Sequence, residues 1–140
     1  MKVSEIMTEN PVTVDPESTA KDAAKIMKEE NLGTVLVAEG ARLEGIVTDR
    51  QIAIKVVASE KDPKVTRVSE FMTKDPITVS PDMEIEEVSR IIGDNGIRRV
   101  PVVQSERLIG IISAADIADH ARDCNICIEN LLNEVAKAGR

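Results

Sequence analysis

Hydrophobic and polar positions follow the same order twice along the chain. In each copy, a short alternating segment after a proline predicts an extended strand, and apolar residues at three- and four-residue steps then predict a helix. Two apolar segments separated by a polar turn predict two buried strands, and a further helical pattern follows. The predicted order is β-α-β-β-α. The first four elements are expected at residues 12–14, 20–27, 35–37 and 43–47, and again at 77–79, 85–92, 100–103 and 108–112.

The two copies also share their residues. RLEGIVTDRQIA at 42–53 returns as RLIGIISAADIA at 107–118. A gapless alignment of residues 3–53 with 68–118 has 18 of 51 positions identical, which indicates a duplication. Two copies are too few for a solenoid, so we expect a pseudo-two-fold pair. The predicted boundaries are repeat 1 at 1–58, a polar linker at 59–67, repeat 2 at 68–120 and a C-terminal extension at 121–140.

The C-terminal extension carries a helical pattern of its own. Apolar residues recur at three- and four-residue steps from Ile117 to Val135. They predict one helix of about 20 residues, with an apolar stripe that would pack against a partner surface. We expect this helix to be a dimer or output element.

Composition limits the classes of function. Hydrophobic residues make up 42% and charged residues 31%, which indicates a folded protein. The net charge of −7 disfavours nonspecific nucleic-acid binding, which depends on neutralising phosphates. No apolar run has the roughly 20 residues of a membrane span, and the first residues lack the apolar block of a signal peptide. We therefore expect a soluble cytoplasmic protein without nucleic-acid or membrane partners.

The chain resembles a tandem pair of CBS domains, often called a Bateman module. The likeness spans essentially residues 1–120 and rests on the MTxxPxTV openings at 7–14 and 72–79, the IRRVPVV segment at 97–103 and two G-I-x-[ST] phrases. It implies an α/β (α+β) fold with two repeats packed sheet to sheet, here with an added C-terminal helix. It also implies a homodimer of such pairs, a regulatory rather than catalytic role, and a regulated protein partner.

The resemblance further implies the ligand. Clefts between CBS repeats often bind adenosine-containing compounds, namely AMP, ADP, ATP or S-adenosylmethionine. We therefore expect a regulatory adenosine ligand and no cofactor. Two alternatives stay open: a ligand-free dimerisation scaffold, and a metal or thiol-redox protein that uses Cys124 and Cys127.

Ser113 and Asp116 are the leading candidates for ligand contacts. A strand ends at Ser113 and a helix follows, so Ser113 is placed as the helix N-cap, where free N–H groups would suit a phosphate. The Asp116 carboxylate can accept hydrogen bonds from both hydroxyls of a ribose. The same spacing lets Asp116 cap the helix, which is the alternative interpretation.

The first copy departs from this pattern. It has Thr48, Asp49 and Arg50, followed by Gln51 in place of the aspartate. Glutamine cannot offer a charged two-oxygen grip on a diol, so we expect the better site in the second copy. Thr48 and Arg50 could still contact a phosphate, or Asp49 and Arg50 could form an exposed ion pair at the helix start.

Arg98 and Arg99 form the only adjacent arginine pair and precede a buried strand. The forked guanidinium suits a phosphate, so at least one of them is a candidate contact. Strand alternation would turn the other toward solvent or a partner. Pro101 would shape the wall of the site, or would only end strand pairing.

Four further candidates follow the prolines, in strands that border the base pocket in the resembled fold: Thr13, Ile77, Thr78 and Val79. Phe71 is the only aromatic residue, so an adenine would have to lie between aliphatic groups, here Ile77 and Val79. Each of the four is equally an ordinary core or edge residue.

Cys124 and Cys127 have C-x-x-C spacing in a helical pattern. Two cysteines are too few for a disulfide framework and supply only half of a tetrahedral zinc site. A dimer could bring two pairs together, His120 could add a ligand, or the thiols could be a redox pair. We expect instead two small buried helix residues in a dimer interface, and no metal.

No combination of residues points to catalysis. His120 is the only histidine, and the sequence has no G-x-S-x-G, Walker, G-x-G-x-x-G or H-E-x-x-H motif. The sequence therefore predicts a binding protein rather than an enzyme.

Overall fold

The chain divides into two compact units that do not follow the two sequence copies. The computed structural model describes residues 1–120 and 124–138. The continuous unit spans Val12–Pro76, and the discontinuous unit combines Met1–Pro11 with Ile77–Arg140. Every helix within the described ranges is too short or too polar to cross a lipid bilayer.

The elements follow the predicted order except at residues 77–79, and short additional pieces lie at the start of each copy. The strand predicted at 77–79 is wrong, because only Val79 pairs there, in an isolated bridge with Val102. The first copy contains α1 (Val3–Ile6), β1 (Thr8–Glu9), β2 (Thr13–Val14), α2 (Ala20–Glu30), β3 (Thr34–Glu39), β4 (Arg42–Thr48) and α3 (Asp49–Gln51), continued by a π-helix at Ile52–Val57. The second contains a 3-10 helix at Val68–Glu70, then β5 (Thr73–Lys74), α4 (Ile85–Asn95), β6 (Arg99–Gln104), β7 (Arg107–Ser113), α5 (Ala114–His120) and α6 (Asn125–Ala138). The predicted α+β class with a C-terminal helix is confirmed.

Residues at both ends of α2 explain its bounds. Thr19 Oγ1 accepts a hydrogen bond from the Asp22 N–H (3.2 Å), and the Asp22 carboxylate accepts one from the Thr19 N–H (3.0 Å). The bond from the Thr19 backbone is the main reason why the pKa of Asp22 is lowered. Asn31 ends the helix in the left-handed conformation, with a φ of 54°. The helix is therefore delimited by its own sequence.

Each sheet is completed by a short strand from the opening segment of the other sequence copy. The sheet order is β1-β7-β6 in the discontinuous unit and β2-β3-β4-β5 in the continuous unit. β1 pairs with β7, with Thr8 opposite Ile111, and β5 pairs with β4, with Thr73 opposite Ile46. The two pairings occupy equivalent positions in the repeat. The copies therefore exchange their opening segments, and for this reason the units and the copies differ.

Each unit has its own aliphatic core. The core of the discontinuous unit includes Val88, Val100, Val102, Ile112, Ile117 and Cys127. The core of the continuous unit includes Ala23, Val35, Val37, Val47, Val56 and Val68. Each core combines the apolar faces of the strands and helices of one copy with residues from the opening segment of the other copy, such as Val3 and Val68.

The C-terminal region differs from the single helix of about 20 residues predicted above. α5 ends at His120, residues 121–123 lie outside the described part, Cys124 is not helical and α6 begins at Asn125. α6 packs along α4 of the same unit, and the disulfide joins Cys124 to Cys127 at its start. Of the predicted stripe, Cys124 and Leu131 pack against the core of the same unit, whereas Ile128 and Val135 are exposed.

Candidate functional site

Ser113 and Asp116 cap the start of α5. The Ser113 N–H donates to Asp116 Oδ2 (2.9 Å), and the Asp116 N–H donates to Ser113 Oγ (3.0 Å). The capping interpretation therefore describes a real contact. It uses one carboxylate oxygen, and within the described residues Oδ1 of Asp116 accepts no hydrogen bond. Because both residues are half-buried, one oxygen of Asp116 stays available to a ligand.

The equivalent position at the start of α3 has no such free oxygen. The Thr48 N–H donates to Gln51 Oε1 (2.9 Å), and the Gln51 N–H donates to Thr48 Oγ1 (3.1 Å). The Gln51 amide also donates to Thr73 Oγ1 in β5 (2.7 Å). Gln51 thus replaces the aspartate as a cap and also ties α3 to the exchanged strand. Asp49 and Arg50 are exposed beside it, and no salt bridge joins them.

The two adjacent arginines have different surroundings. Arg98 Nε lies 3.3 Å from Oε1 of Glu134 in α6, and its side chain is 67% exposed whereas Glu134 is almost fully buried. The Arg98 carbonyl accepts a hydrogen bond from the Ala114 N–H (2.8 Å), which joins the start of β6 to the start of α5. Arg99 is half-buried, lies opposite Ser113 in the pairing of β6 with β7, and has no salt bridge within the described residues.

The candidates after the prolines divide between core and surface. Residues 77–79 form no strand of their own, although Val79 donates to the Pro101 carbonyl (3.0 Å) and its carbonyl accepts from the Val103 N–H (2.9 Å). Val79 and Pro101 are buried, whereas Ile77 and Thr78 are exposed. Thr13 is exposed in β2 of the continuous unit. The ligand roles assigned to these residues stay predictions.

The cysteines differ from the expectation of two buried helix residues in a dimer interface. Cys124 and Cys127 are joined as a disulfide, and only Cys127 belongs to α6. Cys127 is fully buried in the core of its own unit, so it is not available to an interface. Cys124 lies before the helix, where its sulfur accepts a hydrogen bond from the Cys127 N–H (3.3 Å).

Both copies of the repeated sequence match the model of a known protein family. The family model for the CBS domain matches residues 3–58 and 68–123. The chain belongs to the CBS domain family. The resemblance seen in the sequence is confirmed, and the family is typically regulatory rather than catalytic. A tandem CBS pair is in general a regulatory ligand-binding module.

Individual relatives extend this family assignment. The CBS domain-containing protein YhcV of Bacillus subtilis is 37% identical over 116 residues, which cover 83% of this chain and 82% of that protein. The crystal structure of Hypoxic Response Protein I with two coordinated zinc ions has a TM-score of 0.80 at 32% identity, covering 86% of this chain and 98% of that one. The crystal structure of CBSX2 in complex with AMP has a TM-score of 0.74 at 26% identity, covering 86% and 95%.

Three contacting residues escaped the sequence prediction. Glu134 forms a salt bridge with Arg98, and Thr73 accepts a hydrogen bond from the Gln51 amide. Glu86 lies beside the two cysteines. A signal existed for Glu134 alone, because it falls on the same face of α6 as Cys127 and Leu131, at helical spacing. A carboxylate on an otherwise apolar face predicts a cationic partner.

Proposed function

We propose that this CBS pair is a regulatory sensor that binds an adenosine-containing ligand and has no catalytic activity of its own. The ligand class comprises AMP, ADP, ATP and S-adenosylmethionine. The observation that carries the proposal is the grouping of Arg99, Ser113 and Asp116 where β7 passes into α5. The AMP complex of CBSX2 supports the adenosine class.

Arg99 and Asp116 suit the two polar parts of a nucleotide. Arg99 lies opposite Ser113, and partners across paired strands point to the same face of a sheet. Its guanidinium can therefore meet a phosphate on the side where the Ser113 hydroxyl lies. The free oxygen of Asp116, three residues further on, can accept hydrogen bonds from a ribose diol.

Arg98 has a structural role in this proposal. Its guanidinium is held by the buried carboxylate of Glu134, and a carboxylate without a cation there would be costly. An incoming phosphate would have to compete with Glu134 for Arg98, whereas Arg99 has no described salt bridge. We therefore assign the phosphate contact to Arg99.

The first copy is proposed to be a scaffold without a comparable site. Thr34 and Thr48 stand opposite one another where the second copy has Arg99 and Ser113. Gln51 replaces the aspartate, and its amide is already bonded to Thr73. The positions equivalent to Arg99 and Asp116 thus have neither a guanidinium nor a carboxylate, so we expect one adenosine ligand per chain. The scaffold alternative is thus favoured for this copy.

A titration of the intact protein tests the proposal. We expect AMP or S-adenosylmethionine to bind with measurable heat and a stoichiometry of one per chain. Asp116→Asn should weaken binding about ten- to hundredfold, because a hydrogen bond to a charged group contributes roughly 1.5–3 kcal/mol. The side-chain carbonyl of an asparagine at this position can still accept the hydrogen bond from the Ser113 N–H, so the cap of α5 is kept. The chain has no Trp or Tyr, so an adenine ligand that co-purifies is visible by its own absorbance.

A matched variant on the same helix serves as the control. Asp119→Asn makes the same change of charge at an exposed position of α5 and should leave affinity unchanged. If no adenosine compound co-purifies or binds in the titration, the sensor function is wrong and the ligand-free scaffold replaces it. Equal binding by Asp116→Asn and the parent would remove Asp116 from the site.

The same proposal includes the assembly and the setting of the protein. We infer that two chains associate as a homodimer in the cytoplasm and pass the ligand signal to a regulated protein partner. Ile128, Leu132 and Val135 support the homodimer, because these apolar residues are exposed at helical spacing on α6. The other face of α6 packs against α4, so this row is left for a second copy.

A further inference from the structure

A second cluster of reactive side chains lies where α4 and α6 begin. One carboxylate oxygen of Glu86 and the sulfurs of Cys124 and Cys127 all lie within 4.8 Å of one another. Glu86 is exposed in the first turn of α4, Cys124 is half-buried before α6, and Cys127 is fully buried. The cluster is therefore closed by the core on one side and open to solvent on the other.

Helix packing, rather than local sequence, brings these three groups together. α4 and α6 run in the same direction, because Asn130 donates to Ser89 (3.1 Å) and Lys137 donates to the Asp94 carbonyl (2.6 Å) further along. Gly93 permits this approach, since a Cβ there would overlap the Asn130 carbonyl oxygen. Both helix starts are consequently held side by side.

We propose that the reduced Cys124 and Cys127 form, together with Glu86, a binding site for a thiophilic divalent cation such as Zn²⁺. Thiolate sulfur and carboxylate oxygen are both ordinary zinc ligands. The sequence alone offered two cysteines per chain, with a second chain or His120 as the source of further ligands. The structure adds the third ligand from α4 of the same chain, so a second chain is not required.

The site depends on reduction of the disulfide. A dithiol reductant supplies two electrons and two protons to the S–S bond, leaves two protein thiols and is itself oxidised to a disulfide. When the cation binds, both thiols release their protons to solvent and two metal–sulfur bonds form. The disulfide and the metal complex are therefore mutually exclusive states of one site.

Charge and geometry favour a cation over an empty dithiol. Once the thiols release their protons, two thiolates and the Glu86 carboxylate would place three negative charges close together, and a divalent cation offsets their mutual repulsion. Tetrahedral zinc would hold its ligand atoms roughly 3.3–3.8 Å apart. The Glu86 oxygen would therefore need to move closer by about 1 Å, and the two sulfurs, which the disulfide joins, would need to separate after reduction. Solvent would occupy the fourth position on the exposed side, since the described cluster contains no histidine.

The test uses Co²⁺ as a spectroscopic probe on the full-length chain. The protein is reduced with a dithiol, which is then removed without air, and Co²⁺ is titrated before Zn²⁺ is added. We expect one Co²⁺ per chain with a thiolate-to-cobalt absorption band, which Zn²⁺ abolishes. The band falls in the near ultraviolet, where a chain without Trp or Tyr absorbs little. The oxidised protein should give no band.

Two carboxylate variants of α4 decide whether Glu86 is a ligand. Glu86→Gln should weaken Co²⁺ binding by at least about tenfold, since even outer-shell partners contribute that much. Glu87→Gln makes the same change of charge at the adjacent exposed position and should bind as the parent does. Both changes are at the surface, so folding is kept.

Three results would overturn the proposal. The absence of a thiolate band in the reduced parent would show that the pair is not a metal site. Equal affinities of Glu86→Gln and the parent would exclude the third ligand. A ratio of one Co²⁺ to two chains would replace the single-chain site with one shared between two copies.

Discussion

Arg98 and Arg99 are neighbours in sequence with opposite roles in the proposed site. Arg98 forms an ion pair with Glu134, which is only 2% exposed, and thereby links the residue before β6 to α6. Arg99 lies beside Ser113 without a described salt bridge, so its charge remains available to a phosphate. Removing each guanidinium should therefore affect a different property of the protein.

Arg98→Ala should lower the free energy of unfolding by about 1–3 kcal/mol, because it leaves a buried carboxylate without its partner. Its affinity for AMP should stay unchanged. Arg99→Ala should weaken AMP binding by about tenfold or more with little effect on adenosine, because only the phosphate contact is lost. Urea unfolding followed by circular dichroism and calorimetric titration measure the two effects. Loss of AMP affinity in Arg98→Ala without loss of stability would contradict this division.

Some residues of the candidate site could be predicted from the sequence, because comparing the two copies points to them. Ser113, Asp116 and the departure at Gln51 could be found because the two copies align without a gap. Thr73 could not, because its partner is 22 residues away and no local pattern records such a pair. The position of Glu134 on an apolar helix face predicts a cationic partner, but does not identify Arg98, which is 36 residues away. Comparing Asp116 with Gln51 predicts that the two sites differ in affinity. Only the structure shows that the Gln51 amide donates to Thr73.

At the scale of elements, the short strands β1 and β5 rely on glycines in the strands that they join. A Cβ on Gly110 would lie 2.7 Å from Met7 Sδ and 2.9 Å from the Thr8 carbonyl oxygen. A Cβ on Gly45 would meet Met72 and Thr73 in the same way. The glycine of the repeated RLxGI phrase therefore permits the exchanged strand to approach its partner.

Gly110→Ala should destabilise the protein by about 1–3 kcal/mol, because the added methyl group forces β1 away from β7. Urea unfolding measures the change. Gly33→Ala is the matched control, because its Cβ would meet only the end of the Asp49 side chain (3.3 Å), which can move. If the two variants lose the same stability, the loss reflects glycine removal in general and the close approach does not explain the phrase.

The elements divide into those that periodicity predicts and those that it does not. α2, α4 and the strand pairs β3–β4 and β6–β7 were predictable, because their apolar residues repeat at 3.6 or 2 positions. The exchange of β1 and β5 was not, because alternation indicates a strand without naming its partner. The non-helical Cys124 was also missed, since the apolar residues before and after it continue the same spacing.

At the scale of the whole molecule, the duplication has produced two units with similar sheets but different exposed residues. Both units build a sheet from their own strands and one exchanged strand. Only the discontinuous unit adds α6, and with it Glu134, the cysteines and an exposed apolar row. The proposed ligand, cation and dimer contacts therefore all belong to the unit that carries the extension.

The apolar row on α6 leads to a prediction about assembly. Ile128, Leu132 and Val135 lie at steps of four and three residues, and Leu132 is 62% exposed. If this row joins two copies, Leu132→Glu should convert the homodimer to single chains, because a charge would be buried without a partner in the interface. Sedimentation equilibrium over a range of concentrations measures the mass.

Val65→Glu provides the comparison for this variant. Val65 is 70% exposed and belongs to the continuous unit rather than to the apolar row of α6, so the same change of charge should leave the dimer intact. Circular dichroism should show native helix content in both variants, because neither position is buried in the chain. A Leu132→Glu protein that remains dimeric, or a parent that is a single chain at every concentration, would exclude α6 as the contact between copies.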